Sequence, residues 1–207
     1  MSLLPEHSII IAPVGDLDEF LIERAERAIN RMFGYPTEIL PLLPDVDFAF
    51  HADRSQYHST PILEKLTAQA PVHTAKIIAI VDVDLYIPIL THVYGEAQLG
   101  GKAAVVSVHR LKQDLFPPDS RKSCRHRVLK EAIHELGHTF SLRHCRDHTC
   151  IMHYCRTLRD VDTKSDRFCR YCDILLKDEI KRLAEEGGSI KDERPIPLTA
   201  GNVQSRL

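Results

Sequence analysis

At 207 residues, 43% of them hydrophobic, the chain can close one large domain or a domain with an appendage, and disorder of the whole is excluded. Its 27 Lys and Arg against 29 Asp and Glu leave a formal charge of -2, no basic field for a phosphate backbone, so no nucleic-acid partner is expected. No apolar run is long enough to span a bilayer, and MSLLPEHSIIIAPVG lacks the cationic start of a secretory signal; the expectation is a soluble cytoplasmic protein, a monomer with no membrane partner.

Taken in order, Ser8 to Val14 (SIIIAPV) reads as a buried strand. Leu17 to Phe33 follows as a helix, with Phe20, Leu21, Ala25, Ala28, Ile29 and Met32 at helical spacing and Gly34 placed to end it. Thr37 to Leu43 is a second strand, limited by Pro41 and Pro44. Ser59 to Ala70 reads as a helix capped by Ser59 or Thr60, with Pro61 in its first turn. Lys76 to Leu85 (KIIAIVDVDL) is a continuous apolar run that then alternates, as a central strand emerging at a surface does. Ala103 to Val108 is a further strand after Gly100 and Gly101. Such alternation of strands and helices predicts an α/β layer with a mixed sheet.

The longest predicted helix is Asp119 to Phe140, with Val128, Leu129, Ala132, Ile133, Leu136 and Phe140 as its apolar stripe, Asp119 or Ser120 as cap, and Pro117 and Pro118 before it. Asp173 to Glu185 is the last helix, with Gly187 and Gly188 as its stop and ERPIPLTAGNVQSRL as a loosely held tail. No internal repeat is present.

Residues 134 to 155, HELGHTFSLRHCRDHTCIMHYC, hold five histidines, three cysteines and one glutamate. HELGH is an HExxH pattern. Residues four apart share a helix face, so His134 and His138 can offer two imidazoles to one ion, with Glu135 beside a water on that ion. Zinc needs a third protein ligand, and His144 is the nearest. Six residues past His138 is beyond the reach of a straight helix, so the chain must turn near Ser141, in a left-handed conformation that serine adopts at a cost on the order of 1 kcal/mol. The plain alternative is two structural histidines beside a solvated glutamate.

Cys145 and Cys150 form one short-spaced pair, and Cys169 and Cys172 another. In a reducing compartment two such pairs point to a closed four-thiolate zinc site, with no position left for water. Two disulfides are the competing reading. Cys124 is expected as an exposed or half-buried thiol and Cys155 as a core thiol that could replace one ligand; His148 and His153 are expected as polar surface residues. The segment after the long helix has too little apolar surface to fold confidently alone, so a metal staple fits it, and fixing Cys145 would orient its neighbour His144.

With a third histidine and a downstream methionine, this pattern resembles the metzincin clan of zinc metallopeptidases, HExxHxxGxxH followed by a Met-turn. The cysteines narrow it: HExxHxxxxxHCxxxxCxM…CxxC is similar to the archaemetzincins, as are DVDLYIP, YGEA and GKAAVVSVHRL upstream. The resemblance implies a metzincin-like fold: residues 1–141 an upper subdomain with a mixed, twisted sheet and the active-site helix, residues 142–207 a lower, zinc-stapled one. It implies Met152 as the Met-turn residue, Cys145, Cys150, Cys169 and Cys172 as ligands, and a peptide or protein substrate. Ser141 departs from the family's glycine. Tyr154 is similar to a tyrosine of another metzincin branch that touches the zinc or the oxyanion. The expected function is peptide hydrolysis by a zinc-activated water with Glu135 as general base, at one of two zinc ions per chain. The alternative is a zinc-stabilised peptide-binding module with weak or no hydrolysis. The resemblance also implies that an extended substrate adds to the strand Ala103 to Val108 if that strand edges the cleft.

Overall fold

Ile9, Ile10, Ile11 and Ala12 are all fully buried, so the first strand is covered on both faces. The computed structural model describes residues 7–113 and 120–189. In chain order the regular elements are β1 (Ser8–Pro13), α1 (Glu19–Phe33), β2 (Thr37–Ile39), β3 (Phe50–His51), β4 (Gln56–His58), α2 (Ser59–Gln69), β5 (Thr74–Val81), β6 (Leu85–Tyr86), β7 (Gly95–Ala97), β8 (Ala103–Ser107), α3 (Val108–Leu111), α4 (Ser120–Thr139), α5 (Leu158–Thr163) and α6 (Arg170–Ser189).

The main sheet has the order β2-β1-β5-β8-β7. Its pairs are parallel except β7 with β8, which is antiparallel. Strand alternation splits the core in two. Ile9, Ile11, Ile78, Ile80, Ala104 and Val106 face α1 and α4, while Ile10, Ala12, Ile77, Ala79, Ala103 and Val105 face α2 and Leu43 to Ala49. Burial on both faces explains why these strands are apolar without interruption. Leu142, Ile151, Met152, Val161 and Leu176 complete the α1 and α4 side of that core.

Several boundaries differ from the sequence expectation. β2 stops at Ile39: Leu40 still donates to Ile11 O at 2.9 Å, and Pro41 has no N–H to continue. The run Lys76 to Leu85 divides after Val81, and Leu85–Tyr86 joins a second, three-stranded sheet β3-β4-β6. α2 has His58 at its cap position, since the Ser59 hydroxyl donates to Tyr86 O at 3.1 Å and that of Thr60 to Glu96 at 3.0 Å. Val108 leaves the strand because Ser107 caps α3, accepting from the His109 N–H. α6 starts at Arg170 and carries Gly187 and Gly188 within it. Gly34 ends α1 at φ 74° as expected. Asp119, Pro117, Pro118 and the tail from Glu193 lie outside the described residues. No described helix is long and apolar enough to cross a membrane.

Candidate metal centre and active-site cleft

The buried stripe of α4 (Val128, Leu129, Ala132, Ile133, Leu136) turns His134 and His138 toward a cleft of ≈ 870 Å³. One helical turn apart, their Nε2 atoms approach to 3.1 Å. α4 closes after Thr139 with the bond pattern of a Schellman cap: Leu142 N–H donates to Gly137 O and Ser141 N–H to His138 O, with Ser141 at φ 64°. That turn brings back His144, and the nearest ring nitrogens of all three histidines lie within 4.8 Å of one another.

Each inner ring nitrogen meets a carbonyl: His134 Nδ1 is 2.9 Å from Ile151 O and His138 Nδ1 is 2.7 Å from Leu142 O. A carbonyl only accepts, so both protons sit on Nδ1 and both Nε2 lone pairs face each other. A cation between them relieves that opposition, and the donor set suits zinc. Burial pushes the His134 imidazole well below its usual value, with Lys164 and His138 acting the same way. Burial takes His138 down to about 4, against the pull of its bond to Leu142, and burial followed by Lys164 lowers His144. All three are therefore neutral at neutral pH, the form that binds metal.

Glu135 is buried between α4 and the edge strand β7. A Cβ on Gly95 would stand 2.6 Å from Val105 O and 2.7 Å from Glu135 Cγ, so only glycine lets strand and carboxylate approach this closely. Burial first, and then Glu131, holds the Glu135 carboxyl well above the usual range, while Lys164 opposes both. Met152, fully buried, lies against Gly137, where an added Cβ would be 2.6 Å from its Sδ. Tyr154 is exposed, with its ring centroid 4.9 Å from that of His144.

Cys145, Cys150, Cys169 and Cys172 form the second group, their sulfurs also within 4.8 Å of one another. Asp147 folds the intervening loop by accepting from the Thr149 N–H and hydroxyl, and Cys145 N–H donates to Met152 O at 2.8 Å. Cys145 and Cys169 sulfurs are 3.8 Å apart, and all the described cysteines are free, so the two-disulfide reading does not hold. Burial raises the Cys150 and Cys172 thiols; burial would raise Cys169 too, but the Cys172 N–H and neighbouring thiols lower it. Four sulfurs this close together match a closed zinc site.

Cys155 stands apart from this group. It is half-buried on the cleft wall, not a core thiol, and burial pushes it up to about 11. Cys124 is half-buried as expected. His153 is half-buried, its Nδ1 3.0 Å from Cys145 O, and His148 is exposed. Sequence reasoning did not single out Lys164, whose Nζ is 2.8 Å from Glu131 and 3.4 Å from His134 Nδ1, or Gly95, Arg143 and Arg156. The Thr157–Asp160 capping box that starts α5 was the one available signal for the segment delivering Lys164.

Residues 38–178 match the model of peptidase family M54. An archaemetzincin of Methanocaldococcus jannaschii is 35% identical over 171 residues, covering 82% of this chain and 93% of the relative. One of Pyrococcus furiosus is 36% identical over 183 residues, covering 84% and 94%. The crystal structure of the Methanopyrus kandleri archaemetzincin superposes with a TM-score of 0.74 at 32% identity, covering 88% of this chain and 100% of that one. With its histidine and cysteine groups able to hold metal, the chain belongs to peptidase family M54, the archaemetzincins, and is a zinc metallopeptidase.

Proposed function

We propose that His134, His138 and His144 hold a catalytic zinc, that Glu135 is the general base, and that Cys145, Cys150, Cys169 and Cys172 hold a second, structural zinc. The observation that carries this reading is the pair of Nε2 lone pairs facing each other at 3.1 Å with both Nδ1 atoms committed to carbonyls. When bound, zinc supplies Lewis-acid activation of water and polarisation of the scissile carbonyl. Glu135 takes the proton of the attacking water and delivers it to the leaving nitrogen. Its dry position against Gly95 and next to His134 supports that role.

The substrate edge differs from the sequence expectation. β8 is paired on both sides, by β5 and β7, so the free edge belongs to β7. An extended peptide pairs there, with its scissile carbonyl over the histidines and Tyr154 toward the oxyanion. Met152 is the Met-turn floor, and the chain passes from upper to lower subdomain at Ser141. The protein works as a monomer in the cytoplasm, where its free cysteines stay reduced.

Elemental analysis before and after mild chelation tests the metal scheme. Two zincs per chain, one lost readily, are expected; a single zinc that survives replacement of all four cysteines overturns it. For the base, equal peptide turnover by Glu135→Ala and the parent would leave Glu135 without its role.

A further inference from the structure

The cleft wall around His144 carries two arginines that the hydrolytic scheme leaves unused. Arg143 directly precedes His144, and Arg156 lies with its guanidinium carbon 5.9 Å from the Tyr154 ring centroid; both line the cleft. Tyr154 leans on His144 in turn, so Arg156 reaches the exposed third histidine through that ring, while Arg143 adjoins it in the chain. Neither guanidinium makes an ion pair or hydrogen bond among the described residues. By contrast, Arg110 is fixed by Asp84 and Arg127 by Asp162.

An exposed arginine is ordinarily just solvated. What distinguishes this pair is the concave setting and the lack, among the described residues, of any carboxylate bonded to either guanidinium. Glu131 is matched by Lys164 at 2.8 Å and Glu135 belongs to the reaction, while Glu96 keeps its charge but is held on the α2 side by the Thr60 hydroxyl at 3.0 Å. Elsewhere Ile87, Leu90, Val93 and Leu99 give the cleft an apolar lining. A planar guanidinium fork fits a carboxylate better than any other peptide group.

We infer that Arg143 and Arg156 form a carboxylate-binding subsite, so that the cleft selects peptides carrying a carboxylate close to the bond cleaved. This rests on the hydrolytic reading above and names its substrate class. An acidic side chain and a free C-terminus both supply such a group.

The test uses zinc-loaded protein and matched quenched peptides with Glu or Gln at each of the two positions either side of the cleaved bond, each with a free or an amidated C-terminus. The parent is expected to prefer a carboxylate by about tenfold or more in kcat/KM. In Arg143→Gln/Arg156→Gln the ratio falls toward one, and Arg143→Lys/Arg156→Lys keeps part of it. A preference confined to Glu peptides assigns the side chain; one confined to free C-termini assigns the terminus. Equal use of carboxylate and amide peptides by the parent, or a preference that survives the double Gln substitution, overturns the subsite. If nothing is cleaved, the hydrolytic reading fails; fluorescence anisotropy of the same peptides on zinc-loaded Glu135→Gln protein then decides the subsite by the same ratios.

Discussion

Lys164 and Glu131 meet at 2.8 Å with side chains 0% and 4% exposed, a sealed ion pair beside the turn of α4 that carries His134. The neighbouring Lys130 straps the same segment to the helix, donating to Val161 O, Asp162 O and Lys164 O at 2.9, 3.1 and 2.6 Å. Lys164→Met leaves Glu131 uncompensated one turn from Glu135 and is expected to lose about 3–5 kcal/mol of stability, as is removal of Glu131's charge. Lys164→Met combined with Glu131→Leu recovers most of it, because an apolar pair of similar volume needs no counter-charge. Urea unfolding of the four proteins, zinc-loaded, checks this; strictly additive losses would show that the pair does not interact.

Ser141 sits at φ 64°, a region glycine enters freely, and its hydroxyl donates to Glu179 at 3.0 Å. Ser141→Gly gains about 1 kcal/mol from the backbone and gives up only an exposed bond, so the melting temperature is expected to rise by about 2–4 °C. Ser141→Val, β-branched at the same φ, is expected to lower it by at least as much. Calorimetry on the zinc-loaded forms decides; a lower midpoint for the glycine variant would falsify the strain argument.

Much of this was open to reading from the chain. The buried strands, α1, α4 and the histidine and cysteine groups carry dense local signals: unbroken apolar runs, a 3.6-residue stripe, paired cysteines. β3, β4, β6 and β7 span two or three residues each, too short for a periodicity, and their pairing is decided by tertiary contact. Lys164 and Glu131 failed to show for a different reason. A charge is exposed by default, and nothing local marks the one that turns inward to meet another across 33 positions.

Gly95 faces Val106 in the β7–β8 pairing, and a Cβ added to it would meet both Val105 O and Glu135 Cγ. A methyl group there must displace either a backbone oxygen held in the sheet or the Glu135 side chain. Gly95→Ala is expected to cost about 10²-fold in kcat, the scale of a 1 Å misplacement, with zinc content unchanged. Full activity in that variant would mean the edge strand can shift without moving Glu135.

Lys76 is buried under the end of α4, donating to Thr139 O at 2.6 Å and Gly101 O at 2.8 Å. Burial lowers it from 10.5 to about 8, Glu179 opposing. Below pH 8 both folded and unfolded chains hold the proton, so this group adds no pH dependence. Between 8 and 10.5 only the unfolded chain holds it, unfolding takes up a proton, and stability rises with pH. From pH 8 to 10 the parent is expected to gain on the order of 1–2 kcal/mol relative to Lys76→Met, whose side chain cannot titrate. Parallel denaturation curves for the two proteins across that range would contradict the depressed value.

The chain leaves α4 through an elbow in which Leu142 is tied at both backbone ends, its N–H to Gly137 O and its carbonyl to His138 Nδ1. Such an elbow is a poor hinge, since bending it breaks the cap and releases the His138 ring together. The opposite lip of the cleft runs from Ile87 to Val93. There Arg54 and Gln56 reach across to the carbonyls of Leu90 and Thr91, and Ile89 between them is 86% exposed. The bonds that end α4 therefore also hold the His138 side of the cleft in shape, so helix stability and cleft shape cannot be changed independently there.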